Sequence, residues 1–190
     1  MKKFVLTTLA VMAAVGVLAV QPADAKKVQQ DPSMALINMP MNDEIQQVNG
    51  VSKETNKETQ RLSNKLADAT KGMVKKNWKT IYVKAVPVGD KGAVRFYYVD
   101  NRGQVYNGQV IRNTGLSKGK YMAGSMRQTE ALQELVNHLQ RTGQEVPSSI
   151  DIIITQGGYR TKTIFNYDED TSNLTAYQQQ YEQQNFPTMK

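Results

Sequence analysis

Cysteine is missing from all 190 residues, so no disulfide can hold this chain together. Histidine occurs once, at His138, and without cysteine it leaves too few ligands for a zinc site. No nucleophile is set beside a base in any recognisable spacing. Ser117 and Ser125 lack a G-x-S-x-G context, and nothing nominates a partner for His138. That leaves His138 as a boundary residue on the edge of an apolar helical stripe. The segment Gly115–Gly119 (GLSKG) is too short for a phosphate-cradling loop. The acidic run Asp168-Glu169-Asp170 lacks the glycine and closing glutamate of a calcium loop. These absences exclude the common catalytic, metal and cofactor chemistries and leave binding as the expected role.

Apolar runs are equally scarce after residue 20. The run from Phe4 to Val20 follows Lys2 and Lys3 and precedes Ala23-Asp24-Ala25, a small-x-small pattern. Residues 1–25 therefore read as a signal peptide cleaved after Ala25, with a periplasmic or secreted destination. As a helix the run would reach roughly 26 Å, short of a ~30 Å hydrocarbon core. The formal charge of +7 becomes +6 once Lys2, Lys3 and Asp24 are removed (+7 − 2 + 1). Such a balance favours acidic partners. The roughly 165 residues that remain suffice for one domain with its own core.

Residues 26–52 contain Pro32 and Pro40, several Gln and Asn, and methionines without period, and read as a flexible tether. From residue 53 the pattern becomes regular. Leu62, Leu66, Ala69 and Met73 mark one stripe of a helix over Lys53–Lys76. Ile81, Val83 and Ala85 alternate with Tyr82, Lys84 and Val86, and Val94, Phe96 and Tyr98 alternate with Arg95 and Tyr97. With a third strand near Gln104–Ile111 these predict an antiparallel meander. Arg112–Ser125 reads as a long, basic loop. A capping box at Ser125 then opens a second helix, carried by Leu132, Leu135, Val136 and Leu139 and ended by Gly143. Two strands, Ser149–Thr155 and Tyr159–Tyr167, join through Gly157-Gly158. A Gln-rich helix closes the chain, with Leu174, Tyr177 and Tyr181 on one side.

The order α-βββ-α-ββ-α predicts an α+β domain over residues 53–190, an antiparallel sheet (meander plus hairpin) with helices on one face. The other face would then meet solvent and carry Tyr82, Lys84, Arg95 and Tyr97. That mixture suits a protein interface, a single-stranded nucleic acid surface or plain half-buried sheet. With Lys118 and Lys120 in the basic loop and Asp168, Glu169 and Asp170 before the last helix, these are the candidate partner-binding residues. The acidic run also reads plainly as a helix N-terminus, with Asp170 or Ser172 as its cap.

Two blocks of sequence carry a resemblance. Trp78-Lys79-Thr80-Ile81-Tyr82-Val83-Lys84-Ala85 is similar to a W-x-x-[IV]-Y-x-x-A first strand. Gly143-Gln144-Glu145 through Phe165-Asn166-Tyr167-Asp168 is similar to a GQE connector, two strands and an F-[DN]-Y-[DE] ending. Both, in the same element order, resemble the YezG-like family of bacterial toxin-immunity proteins. The resemblance implies a non-enzymatic inhibitor that needs no cofactor, binds a cognate toxin and blocks its active site. The chain departs from the pattern in having Val146-Pro147-Ser148 where an aromatic commonly follows the connector, in its basic charge and in its leader. The second class of partner is a polyanion, extracellular DNA or an anionic glycolipid, drawn to Lys84, Arg95, Lys118 and Lys120.

Overall fold

The structure is a computed structural model, which describes residues 53–89, 92–156 and 160–189. The leader, the tether and the Gly157-Gly158 turn expected from the sequence lie outside the described residues. Nine elements follow in order: α1 (Lys53–Lys71), β1 (Thr80–Val86), β2 (Ala93–Val99), β3 (Val105–Asn107), α2 (Ile111–Thr114), α3 (Lys118–Arg141), β4 (Ser149–Thr155), β5 (Arg160–Asn166) and α4 (Leu174–Asn185). This is the α-βββ-α-ββ-α order read from the sequence, with the short α2 added.

The five strands form one antiparallel sheet in the order β3-β2-β1-β4-β5. β1 lies at its centre, with Val83 opposite Phe96 on one side and Ile152 on the other. Because side chains alternate along a strand, Ile81, Val83 and Ala85 meet Phe96, Tyr98, Ile150, Ile152 and Ile154 on a single face. That face packs against Leu62 and Leu66 of α1 and Leu132, Leu135 and Leu139 of α3, all buried. α1 and α3 are also joined by polar contacts. Gln128 donates to Thr70 Oγ1 at 2.9 Å, and His138 Nε2 lies 3.2 Å from Thr59 Oγ1. His138 is thus buried between the helices rather than at their boundary.

Three expectations are corrected. First, the predicted Arg112–Ser125 loop is mostly helical: α2 takes its start, and α3 begins at Lys118 instead of Ser125. The inward positions of the first turns are Tyr121, Gly124 and Gln128, and residues so unlike an aliphatic stripe give no periodic signal. Second, α1 ends at Lys71, five residues early, and Met73 then turns into the core. Third, the helices do not all share one face, since α4 covers the other. The end of α3 is as expected. Gly143 takes φ +68°, and Gln144 N–H reaches back to Leu139 O at 2.9 Å, a Schellman closure.

Two glycines are set by close packing. A Cβ on Gly108 would overlap the Phe96 ring, and one on Gly124 would overlap Met73 Sδ. A buried ring on a central strand cannot retreat, whereas a thioether can change rotamer. Gly108→Ala is expected to cost about 2–3 kcal/mol in urea unfolding and Gly124→Ala about 1 kcal/mol. Equal costs at the two sites would contradict this packing argument.

Candidate functional site

Tyr82, Lys84, Arg95 and Tyr97 do share one face. Tyr82 pairs across to Tyr97, and Lys84 to Arg95, on adjacent strands. That face is not open to solvent. Tyr82 and Tyr97 are 1% and 0% exposed, and Lys84 is 3% exposed, while Arg95 is half-buried. The cover is α4 and the residue after it. Phe186 packs at a tilt against Tyr97 and Tyr82 with ring centroids 4.5 and 5.5 Å apart, and Tyr181 closes the cluster edge-on 5.9 Å from Phe186. Offset rings at such distances attract beyond their buried area.

Lys84 lies beside this cluster, ringed by acceptors. Its Nζ donates to Asp151 Oδ2 at 2.9 Å and to both oxygens of Glu169 at 3.1 and 3.2 Å. It also sits over the Tyr181 ring, 4.9 Å from the centroid. Asn166 Nδ2 donates to Asp151 Oδ2 at 2.7 Å and to Ser149 Oγ at 3.0 Å. Ser149 and Tyr177 each donate a hydroxyl to Glu169 Oε2. Further out, Tyr97 donates to Glu182 at 2.8 Å, with Arg95 3.5 Å from the same oxygen. The cavity of about 240 Å³ at this seam is lined by Lys84, Asp151, Asn166 and Glu169, all engaged with one another.

The protonation states follow from that geometry. Burial would lower the Lys84 pKa, but the Asp151 charge and its hydrogen bonds outweigh it and raise the pKa above the ordinary lysine value. A nucleophilic or basic lysine needs the opposite shift. Burial pushes Asp151 up while Lys84 and Asn166 pull it down, and burial wins. Burial also disfavours the Glu169 carboxylate, but hydrogen bonds from Ser149 and Tyr177 and the charge of Lys84 hold its pKa below the usual range. The network is arranged to keep Lys84 charged and to pin the chain after β5, and α4 with it, to the sheet.

The acidic run is divided by the same event. Glu169 turns inward to Lys84, while Asp168 and Asp170 stay exposed. Asp170 accepts from Ser172 N–H at 3.0 Å, and the cap of α4 is Asn173, whose side chain accepts from Ala176 N–H at 3.1 Å. Among the described residues no three of His, Asp and Glu gather as metal ligands, and no helix is long and apolar enough to cross a membrane.

Lys118 and Lys120 remain exposed, now on the first turn of α3. Beyond them Met122 and Met126 are 54% and 62% exposed, one turn apart on the outward side of the helix. The sequence reading missed this pair because it placed the segment in a loop. Once α3 runs from Lys118, their spacing of four puts them on one face. Solvent-exposed methionine pairs of this kind adapt to a partner's shape.

A comparison with curated proteins finds no match. The family model described as immunity protein YezG-like matches residues 59–189, from the first buried turn of α1 through Phe186 and the α4 cover. With the α+β order and the Trp78 and Phe165 blocks in place, the chain belongs to the YezG-like immunity protein family.

Proposed function

We propose that this chain is a non-enzymatic immunity protein that binds a cognate toxin and blocks its active site, and that it acts outside the cytoplasm after leader cleavage. Membership of an immunity family supports a toxin as the partner in general. The chemistry-bearing groups support inhibition without turnover, because Lys84, Asp151 and Glu169 are spent on one another and His138 on Thr59. We assign the contact surface to the outward face of α3. The carrying observation is the exposure of Met122 and Met126, flanked by Lys118, Lys120 and Arg127. Methionine and arginine are enriched at protein interfaces, and a few desolvated anchors carry most binding energy. Tyr82 and Tyr97, first expected in this role, are buried beneath α4 on the opposite face of the sheet from α3.

The test uses the full-length chain as bait for secreted and envelope proteins of its own source. The captured protein should inhibit growth when expressed alone and lose that effect when the chain is co-expressed. The Met122→Asp/Met126→Asp variant should then bind it at least tenfold more weakly with unchanged unfolding. A captured protein without toxicity would refute the immunity reading. Undiminished affinity of the double variant would move the contact surface away from α3.

A further inference from the structure

A second exposed feature lies where α1, α2 and α3 meet. The chain after α1 and the turn before α3 are stitched together by Lys75 N–H donating to Thr114 O at 2.9 Å. Between α2 and α3, Gly115 takes φ +76°, and a Cβ there would stand 3.5 Å from both the Lys75 Cβ and the Lys76 Cγ. Arg112 precedes this glycine by three residues, and Lys118 follows by three. Lys75, Lys76, Arg112, Lys118 and Lys120 are all exposed, and none forms an ion pair with a described residue.

Among the described residues no carboxylate pairs with these five cations. Neighbouring carboxylates are turned to their own segments: Asp68 lies 3.5 Å from Lys71, and Asp100 accepts from Arg102 N–H and Gln104 N–H at 2.8 and 3.0 Å. The first turn of α3 carries no acidic residue and no side-chain cap, so its dipole adds positive potential. Two lysines placed there oppose helix formation, a local cost that a binding role would explain.

We propose that this basic pole docks the domain on an anionic lipid surface by charge attraction. The proposal shares Lys118 and Lys120 with the rim of the surface assigned to the toxin but does not need that reading, and the Lys75/Lys76 variant tests the pole apart from it. The composition of the pole favours lipid over the other polyanions and over an acidic protein. Four of its five cations are lysines, strongly hydrated point charges suited to a diffuse layer of headgroups. Protein interfaces are depleted in lysine. Single-stranded nucleic acid sites interleave cations with exposed aromatic faces, whereas the aromatic residues near the pole are covered: Tyr98 and Tyr121 are buried, and Trp78 and Tyr106 are half-buried. Each basic residue near an anionic surface raises partitioning about fivefold, so the five together would give on the order of 10³-fold.

The experiment is co-sedimentation of the full chain with vesicles of phosphatidylcholine alone and with 30% phosphatidylglycerol. Residues 1–27 carry Lys2, Lys3, Lys26 and Lys27 beside an apolar run and are common to every variant, so the pole is read from the difference between wild type and pole variants. The wild type should prefer the anionic vesicles by at least tenfold and lose that preference at 0.5 M salt. Lys118→Glu/Lys120→Glu should reduce the preference at least tenfold, and its folding is protected because glutamate suits a helix N-terminus. Lys75→Glu/Lys76→Glu should act alike. Lys57→Glu/Arg141→Glu makes the same charge change at the far ends of α1 and α3 and should retain the preference. Equal binding to both vesicles, or equal loss in the control variant, would overturn the proposal. Tighter binding of a single-stranded oligonucleotide, lost in the same pole variants, would overturn the lipid assignment in favour of nucleic acid.

Discussion

Replacing Lys84 by methionine is expected to remove about 3–5 kcal/mol of stability, although it trades a charged side chain for an apolar one of similar length. The loss comes from what stays behind. Asp151, 21% exposed, would be left, among the described residues, with Asn166 and a Tyr181 hydroxyl 3.5 Å away as donors. Glu169 would lose its only cation among the described residues. Urea unfolding at neutral pH reads the cost directly. The pH dependence distinguishes this explanation from simple loss of packing. The Asp151 pKa is already raised by burial, against the pull of Lys84, so deleting Lys84 raises it further. A carboxyl whose folded pKa exceeds its unfolded pKa destabilises the fold as pH rises between the two values. The gap between wild type and variant should therefore narrow as pH falls from 7 towards the ordinary carboxylate range. Glu169 contributes the reverse in the wild type: its lowered pKa gives stability above the unfolded value that disappears in acid. Lys84→Met/Asp151→Leu should recover part of the loss. A gap that is constant with pH, or no recovery in the double variant, would remove the buried charge as the cause.

The same residues show how far local pattern reaches. The α1/α3 side of the sheet was legible because Ile81, Val83, Ala85 and Ile150, Ile152, Ile154 alternate cleanly, and a one-residue slip would put the two sets on opposite faces. Element order followed from turns and periods alone. The opposite side was legible as a set of residues but not as a buried one. Lys84 reads as solvent-facing in any local window, and the partners that bury it lie 67 and 85 residues away. The covering helix hid its role too. Its sheet-facing groups are Tyr177 and Tyr181, one turn apart among glutamines, and, past its end and out of that period, Phe186. Glu169 looked like one of three acids before a helix, and only the fold separates it from Asp168 and Asp170. For the α3 face the obstacle was smaller. Extending the helix through Tyr121, Gly124 and Gln128 is all that was needed to place Met122 and Met126 together.

Phe186→Ala tests whether that cover is part of the cooperative fold. Phe186 is 3% exposed and touches Tyr82, Tyr97 and Tyr181, so its truncation is expected to cost about 3–5 kcal/mol. At roughly 3–4 °C per kcal/mol for a domain of this size, the midpoint of thermal unfolding should fall by about 10–20 °C. Two central strands present Tyr82 and Tyr97 to this ring, and their other face forms the main core. Strain on one face is thereby transmitted to the other through a shared backbone. One transition, shifted as a whole, is therefore expected by near-ultraviolet dichroism and by fluorescence alike. A cost below 1 kcal/mol would mean that α4 adds little to the fold. A separate early transition, with protease cleavage confined to residues 167–189, would mean that α4 detaches alone. In that case the buried tyrosine face would become available to a partner, and the contact surface assigned to α3 would have a rival on the sheet. A cooperative loss leaves α4 as a fixed wall and the proposed α3 contact surface without that rival.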